Sequence, residues 1–282
     1  MWEVKGNYTI VLIGSMLALW LSLVAPCLVK TRIRYLEGNS FVVKIGDVDI
    51  WIDPVLSGNL DFGMPALYSG KKRLVDNDKE LDAFKNTADV VLITQGFDDH
   101  AHTPTLQKLR TIRPDIPYVV PTSAVKILRE CNIPEKKISV MSPMQKLLIS
   151  KDIELVATSG ALLGPPWKKK ENGYILRKTP SSSSPSSSFP SIYIEPHCMY
   201  DENELAKYAC DVVITPIVGQ SLPAFELVGG GEKALKLASV LKGNRVNLNA
   251  SILMSASLTN IIHFIQMTSL HVSCVLSCIV YS

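Results

Sequence analysis

Two carboxylates and two imidazoles, Asp98, Asp99, His100 and His102, crowd into one short stretch of this chain. These side chains bind divalent cations and move protons near neutral pH, so their proximity points to metal or acid–base chemistry. The residues around them say how they would be held. Val90 to Ile93 is an apolar run long enough for a short buried strand. Gly96 breaks the run, and Thr103-Pro104 reads as a helix N-cap with proline at the first helical position. Strand, polar loop and helix in that order is where α/β proteins place their chemistry. A solvated loop rich in turn-forming aspartate is the plainer reading of the same residues.

Composition narrows the classes. The chain has 282 residues, 47% of them apolar, with a formal net charge of +3. That length suits one core domain with additional ends. The small charge, and the lack of basic runs interleaved with aromatics, argue against nucleic acid as a partner. Cys27, Cys131, Cys198, Cys210, Cys274 and Cys278 are scattered without a Cys-x-x-Cys pair, which fits neither a zinc finger nor a disulfide framework. Residues 6–29 carry no charge and are followed by Lys30, Arg32 and Arg34. This predicts an N-terminal hydrophobic helix over 1–30 that anchors the chain in a membrane, with the globular domain on the cytoplasmic side. A buried core helix and a cleaved signal are the alternatives, although Pro26 after Ala25 makes a poor cleavage site.

The remaining pattern is mixed α/β. Thr31 to Leu36 alternates, and Phe41 to Ile45 and Val48 to Ile52 flank Gly46-Asp47, a hairpin signature. Helices are expected over 76–86, 105–112, 123–131, 201–209 and 232–241. Strands are expected over 90–93, 118–120, 138–141, 174–177, 191–194 and 212–215, with two more between 146 and 158. The serine tract 181–188 reads as a disordered hairpin tip. Residues 244–282 form an uncharged tail beyond Arg245 that reads as divergent, or alternatively as a second membrane segment.

In this order the pieces resemble the metallo-β-lactamase superfamily, in its lactonase-like and phospholipase-like branch, from about Arg32 to Gly243. Arg34-Tyr35-Leu36 with Ser40-Phe41-Val42 and Ile52-Asp53-Pro54 is similar to that branch's first hairpin and Asp-Pro turn. Thr94-Gln-Gly-Phe-Asp-Asp-His100 stands where the family has Thr-His-x-His-x-Asp-His, and Asp211-Val-Val-Ile-Thr-Pro216 is similar to its late strand. The fold implied is a four-layer αββα sandwich spanning 31–243, with a dinuclear metal site at one edge of two sheets. Gln95 and Phe97 replace the first two histidines, so the first metal position is expected to be lost: phenylalanine donates no lone pair and a neutral amide is a poor zinc ligand. No histidine stands at Ser159 to Leu163, and Glu195-Pro196-His197 falls where the bridging Asp is expected. A Gln-Gly-x-x-Asp-His-x-His arrangement with Gly164-Pro-Pro-Trp167 resembles a plant and cyanobacterial subgroup, which makes a plastid location the alternative to the membrane-anchored one.

The resemblance places His197 beside the same edge. Asp99, His100 and His197 are then the candidate ligands for one zinc or iron ion with a bound water. Asp99, His100 and Asp98 are the catalytic candidates, with Asp98 or Glu195 as general base. The expected function is a metallo-hydrolase-like protein with a degenerate metal site, acting on a small ester, lactone or phosphoester. The alternative is a non-catalytic binding or scaffold protein that keeps the fold and uses the Gln95 to His102 edge as a pocket.

Overall fold

A computed structural model describes residues 2–4, 31–180 except 68, 74, 164–166 and 168, 189–242 except 223 and 224, and 251–253. The uncharged run 6–29, the serine tract and most of the tail lie outside the described residues. Among those described, no helix is long and apolar enough to cross a membrane.

Two sheets carry the domain. The first has seven strands in the order β1 (Trp2–Val4), β2 (Thr31–Tyr35), β3 (Phe41–Ile45), β4 (Val48–Ile52), β5 (Val90–Leu92), β6 (Tyr118–Pro121) and β7 (Ile138–Met141). The second has six strands: β8 (Lys146–Leu148), β9 (Ile153–Ser159), β10 (Asn172–Lys178), β11 (Ile192–Ile194), β12 (Val212–Ile214) and β15 (Ser251–Leu253), the last lying outside β12. A two-stranded ribbon, β13 (Gln220–Leu222) and β14 (Phe225–Val228), stands apart. The helices are α1 (Asn77–Thr87), α2 (Thr103–Ile112), α3 (Val125–Glu130), α4 (Glu202–Leu205) and α5 (Glu232–Lys242).

Period-two alternation along the strands explains the layering. Phe41, Val43, Ile45, Ile50, Ile52, Val90 and Leu92 turn one way and meet Leu155, Tyr174, Leu176, Ile192, Ile194 and Ile214 from the second sheet in one apolar cluster. The intervening Val42, Trp51, Val91 and Val120 turn the other way, onto Phe84 of α1, Leu106 and Leu109 of α2 and Leu128 of α3. Val156, Ile175, Tyr193 and Val213 pack on Leu205 of α4 and Ala234, Leu237 and Leu241 of α5. Helices, sheet, sheet and helices thus stack in four layers, the arrangement that the family resemblance implies.

Two local expectations need correction. His102, not Thr103, is the N-cap of α2, which leaves proline at its second position. The helix expected over 201–209 stops at Leu205. Inside the stretch read as a divergent tail, Ser251–Leu253 pairs parallel with Val212–Ile214 and adds an edge strand to the second sheet.

The loop after β5 is held by a close approach. A Cβ on Gly96 would lie 2.5 Å from the backbone carbon and oxygen of Ser123. Gly96→Ala is therefore expected to destabilise the fold by about 1–3 kcal/mol or more, because backbone has to move against backbone. Urea unfolding measures it, and a change within about 0.5 kcal/mol, the range of a bland surface substitution, would show that the two segments are not so closely apposed.

Candidate functional site

The parallel pairs β4–β5 and β11–β12 point their C-terminal ends to the same edge of the sandwich. Asp53 follows β4, Thr94 and Gln95 follow β5, Glu195 and His197 follow β11, and Thr215 follows β12. Asp53 is the hub of the first group. Its backbone φ is +43°, an uncommon conformation for a non-glycine residue, and its side chain is only 1% exposed. The carboxylate accepts from the Thr94 backbone N–H at 2.7 Å, from the Thr94 hydroxyl at 2.5 Å and from His100 Nδ1 at 2.8 Å. Its backbone carbonyl accepts from the buried Ser40 hydroxyl at 2.7 Å.

His100 is wholly buried between two carboxylates. Beyond Asp53 on one nitrogen, its Nε2 lies 3.4 Å from Asp99 Oδ2 on the other. Burial alone would lower the imidazole's pKa, but Asp99 and Asp53 outweigh it and raise it to about 10. The ring is therefore an imidazolium at neutral pH. Asn39 Nδ2 donates to Asp99 Oδ2 at 3.0 Å and also sits 3.2 Å from His100 Nε2. Asp99 itself is partly exposed. Burial would raise its pKa, but the His100 charge holds it below the usual carboxylate range.

The second group is neutral. His197 stacks on His100 with ring centroids 5.7 Å apart, and its Nδ1 faces Gln95 Nε2 at 2.6 Å. Burial, reinforced by the neighbouring His100 charge, lowers its pKa to about 4. Because the amide N–H occupies Nδ1, the imidazole's own proton belongs on Nε2. Glu195 lies underneath, wholly buried, with Oε2 accepting from the backbone of His197 at 3.1 Å and Met199 at 2.7 Å. Burial raises its pKa to about 8, so it is largely protonated at neutral pH.

These groups meet solvent in a pocket of about 480 Å³, within the usual range for a small-molecule site, whose wall includes Asn39, Lys72, Asp99, His197 and Thr215. Of the predicted residues, Asp99 and His197 line it, while His100 stands behind Asp99 as a positioning residue. Asp98 does not join them: its carboxylate accepts from the Phe62 backbone N–H at 3.2 Å and ties down the loop after β4. Glu195 is too deeply buried to serve as a solvent-facing base. His102 is structural, its Nδ1 2.9 Å from the Thr105 hydroxyl that also accepts from Leu56 and Ser57 N–H. Asn39 and Lys72 were not anticipated, since nothing in their neighbours along the chain marks them.

The expected one-metal set of Asp99, His100 and His197 does not assemble. Among the described residues no three His, Cys, Asp or Glu side chains converge on a point that could hold a metal ion. The reason is local: Asp53 and Asp99 flank both ring nitrogens of His100, and Gln95 takes Nδ1 of His197. Phe97, at the other substituted position, is 38% exposed and offers no donor. So placed, the donors do not fit a resident metal.

Four layers, with chemistry-bearing residues at the strand ends of both sheets, describe a known architecture. The β-lactamase superfamily domain matches residues 32–247. The chain belongs to this superfamily. Among solved structures of this fold, it is similar to a possible metal-dependent hydrolase from Veillonella parvula, at 16% identity and TM-score 0.58, over 84% of this chain and 91% of that one. It is also similar to Igni18, a metallo hydrolase from the archaeon Ignicoccus hospitalis, at 18% identity and TM-score 0.54, over 80% of this chain and 83% of that one. A third is CmlA, a diiron β-hydroxylase from Streptomyces venezuelae, at 15% identity and TM-score 0.53, over 79% of this chain and 44% of the longer enzyme. No curated protein matches the sequence. At these identities the structural likenesses establish the superfamily's fold alone.

Proposed function

We propose that the chain is a hydrolase of small esters, lactones or phosphoesters that works in this pocket through Asp99 and His197. The observation that carries the reading is their joint placement in the wall of one pocket at the strand ends of both sheets. The superfamily's hydrolases supply the reaction class. Asp99, kept ionised by His100, is the base that takes a proton from an attacking water. His197, kept neutral by burial, offers Nε2–H to the oxygen on which negative charge develops. Behind the partly exposed Asp99, the buried His100 imidazolium, itself paired with Asp53, completes a row that supplies one fixed positive charge.

The same row favours a second reading. It is self-contained, with each ring nitrogen of His100 facing a carboxylate, and so suits a protein that binds a ligand without turning it over.

One assay separates the two. Purified protein, with and without EDTA, is given p-nitrophenyl acetate, a γ-lactone and bis-p-nitrophenyl phosphate, and its zinc and iron content is measured. Turnover of at least one substrate that survives EDTA, with well under one metal per chain, is the expected result. Activity abolished by EDTA would return the chemistry to a bound metal. No turnover of any substrate would leave the binding reading in its place.

A further inference from the structure

Lys72 stands in the pocket wall on the loop between β4 and α1, and the hydrolysis described above does not use it. Its Nζ makes one hydrogen bond among the described residues, to Ser40 Oγ at 3.1 Å. Ser40 cannot neutralise it, being an uncharged hydroxyl that already donates to Asp53 O and accepts from the Val55 N–H. An ammonium has three donors, so two remain for something else.

The carboxylates near Lys72 have other partners. Glu37 accepts the Arg73 backbone N–H at 2.7 Å, and Glu80 pairs with Arg34 at 2.5 Å. The loop carrying Lys72 is itself fixed, by reciprocal 2.8 Å backbone bonds between Leu60 and Gly70. A half-buried lysine without an ion pair, on a pinned loop and facing a cavity, is costly to maintain unless an anion completes it.

We propose that Lys72 is the anchor for an anionic group of the ligand, a phosphate or carboxylate, and so sets an anionic substrate class for the site. The inference deepens the hydrolase reading and rests on it. On binding, the anion accepts the two spare N–H bonds of Lys72 at one end of the pocket. The bond to be cleaved then lies towards Asp99 and His197 at the other.

Charge and pH behave accordingly. Burial lowers the Lys72 pKa to about 8, with Glu37 and Glu80 pulling the other way, and the nearby His102 is kept neutral by its own burial. The anchor is thus cationic at pH 7 and loses its charge as pH rises through about 8. An anion would bind at neutral pH and be released in alkali.

The test uses trace acetylation of the full chain with acetic anhydride, read lysine by lysine by peptide mass spectrometry. Inorganic phosphate is the probe, with chloride at matched ionic strength as control. At phosphate ten times its Kd, Lys72 labelling should slow about tenfold, because the free fraction falls as 1/(1 + [L]/Kd). Exposed Lys108 and Lys207 should not change. Lys72→Met should lose phosphate binding by calorimetry and Lys72→Arg should keep it, both folding normally by circular dichroism. Equal labelling of Lys72 with and without phosphate, or wild-type phosphate affinity in Lys72→Met, would overturn the assignment. If that happened while neutral esters were still turned over, the anionic class would fall and the hydrolase reading would stand.

Discussion

His100→Ala is expected to destabilise the fold by about 3–5 kcal/mol, since it leaves the buried Asp53 carboxylate without its charge partner. Asp53 is 1% exposed and keeps only the Thr94 bonds once the ring is gone. The same pair predicts a pH dependence. A histidine whose folded pKa is raised contributes fully below its unfolded value of about 6.5, and the contribution is lost as pH climbs through the folded value of about 10. Glu195 works in the same direction. From about pH 4.5 to about 8 the unfolded carboxyl ionises while the folded one holds its proton, so stability falls as pH rises. His197 opposes them on the acid side: between about pH 6.5 and 4 only the unfolded ring takes up a proton, so stability falls as pH drops. Stability should therefore decline most steeply from about pH 6.5 to 8, where His100 and Glu195 act together, and less above it, where Lys72, lowered to about 8, opposes His100; His100→Ala should flatten much of the decline. Urea unfolding across this range is the measurement. A decline that His100→Ala leaves unchanged would mean that the ring is not an imidazolium in the folded protein.

The strands were legible in the sequence and their layering came with the family resemblance; what sorts the side chains between layers is alternation within each strand. Val42 and Trp51 part from Val43 and Ile52 by parity alone, and parity is visible in a single sequence. The ribbon Gln220–Leu222 with Phe225–Val228 escaped notice because its strands are too short to show a period and proline lies between them. Helix α4 was overextended for a related reason. Its N-cap Asp201 was readable, but no glycine or proline marks its end after Leu205, which packs against α5.

The site was legible in types and not in pairings. Asp99 and His100 are neighbours in sequence and announce themselves, but what each nitrogen of His100 faces depends on Asp53, 47 residues earlier. Gln95 was recognisable as a missing ligand. That its amide meets His197, 102 residues away, and so fixes that ring's tautomer, is a product of how the two sheets pack. Lys72 illustrates the limit most clearly. Lysine in a loop is ordinarily solvated, and only the pinned backbone around it turns it into a pocket residue.

Asp99→Asn should separate chemistry from architecture. The amide keeps the carboxylate's shape and can still accept the Asn39 N–H that meets Asp99 Oδ2 at 3.0 Å. It removes the negative charge and with it the capacity to take a proton from water. Loss of a positioned general base lowers kcat by about 10²–10⁴-fold, and KM should change far less because the substitution leaves the pocket's shape intact. Stability should move little. The Asp99 side chain is 30% exposed and its contact with His100 is long, at 3.4 Å, the kind of partly solvated pair whose net contribution is about 0–1 kcal/mol. His100 should also titrate lower once one of its two carboxylates is neutralised, because the Asp99 charge is the larger of the two that raise it. The wild type and the single variant would be compared in steady-state kinetics, urea unfolding and a proton NMR titration of the imidazoles. A kcat within about twofold of wild type would remove Asp99 from the chemistry, given the size of effect a general base commands. An unchanged rate together with a stability loss of about 1–3 kcal/mol, the cost of charge-assisted bonds in a buried brace, would assign the residue to the scaffold.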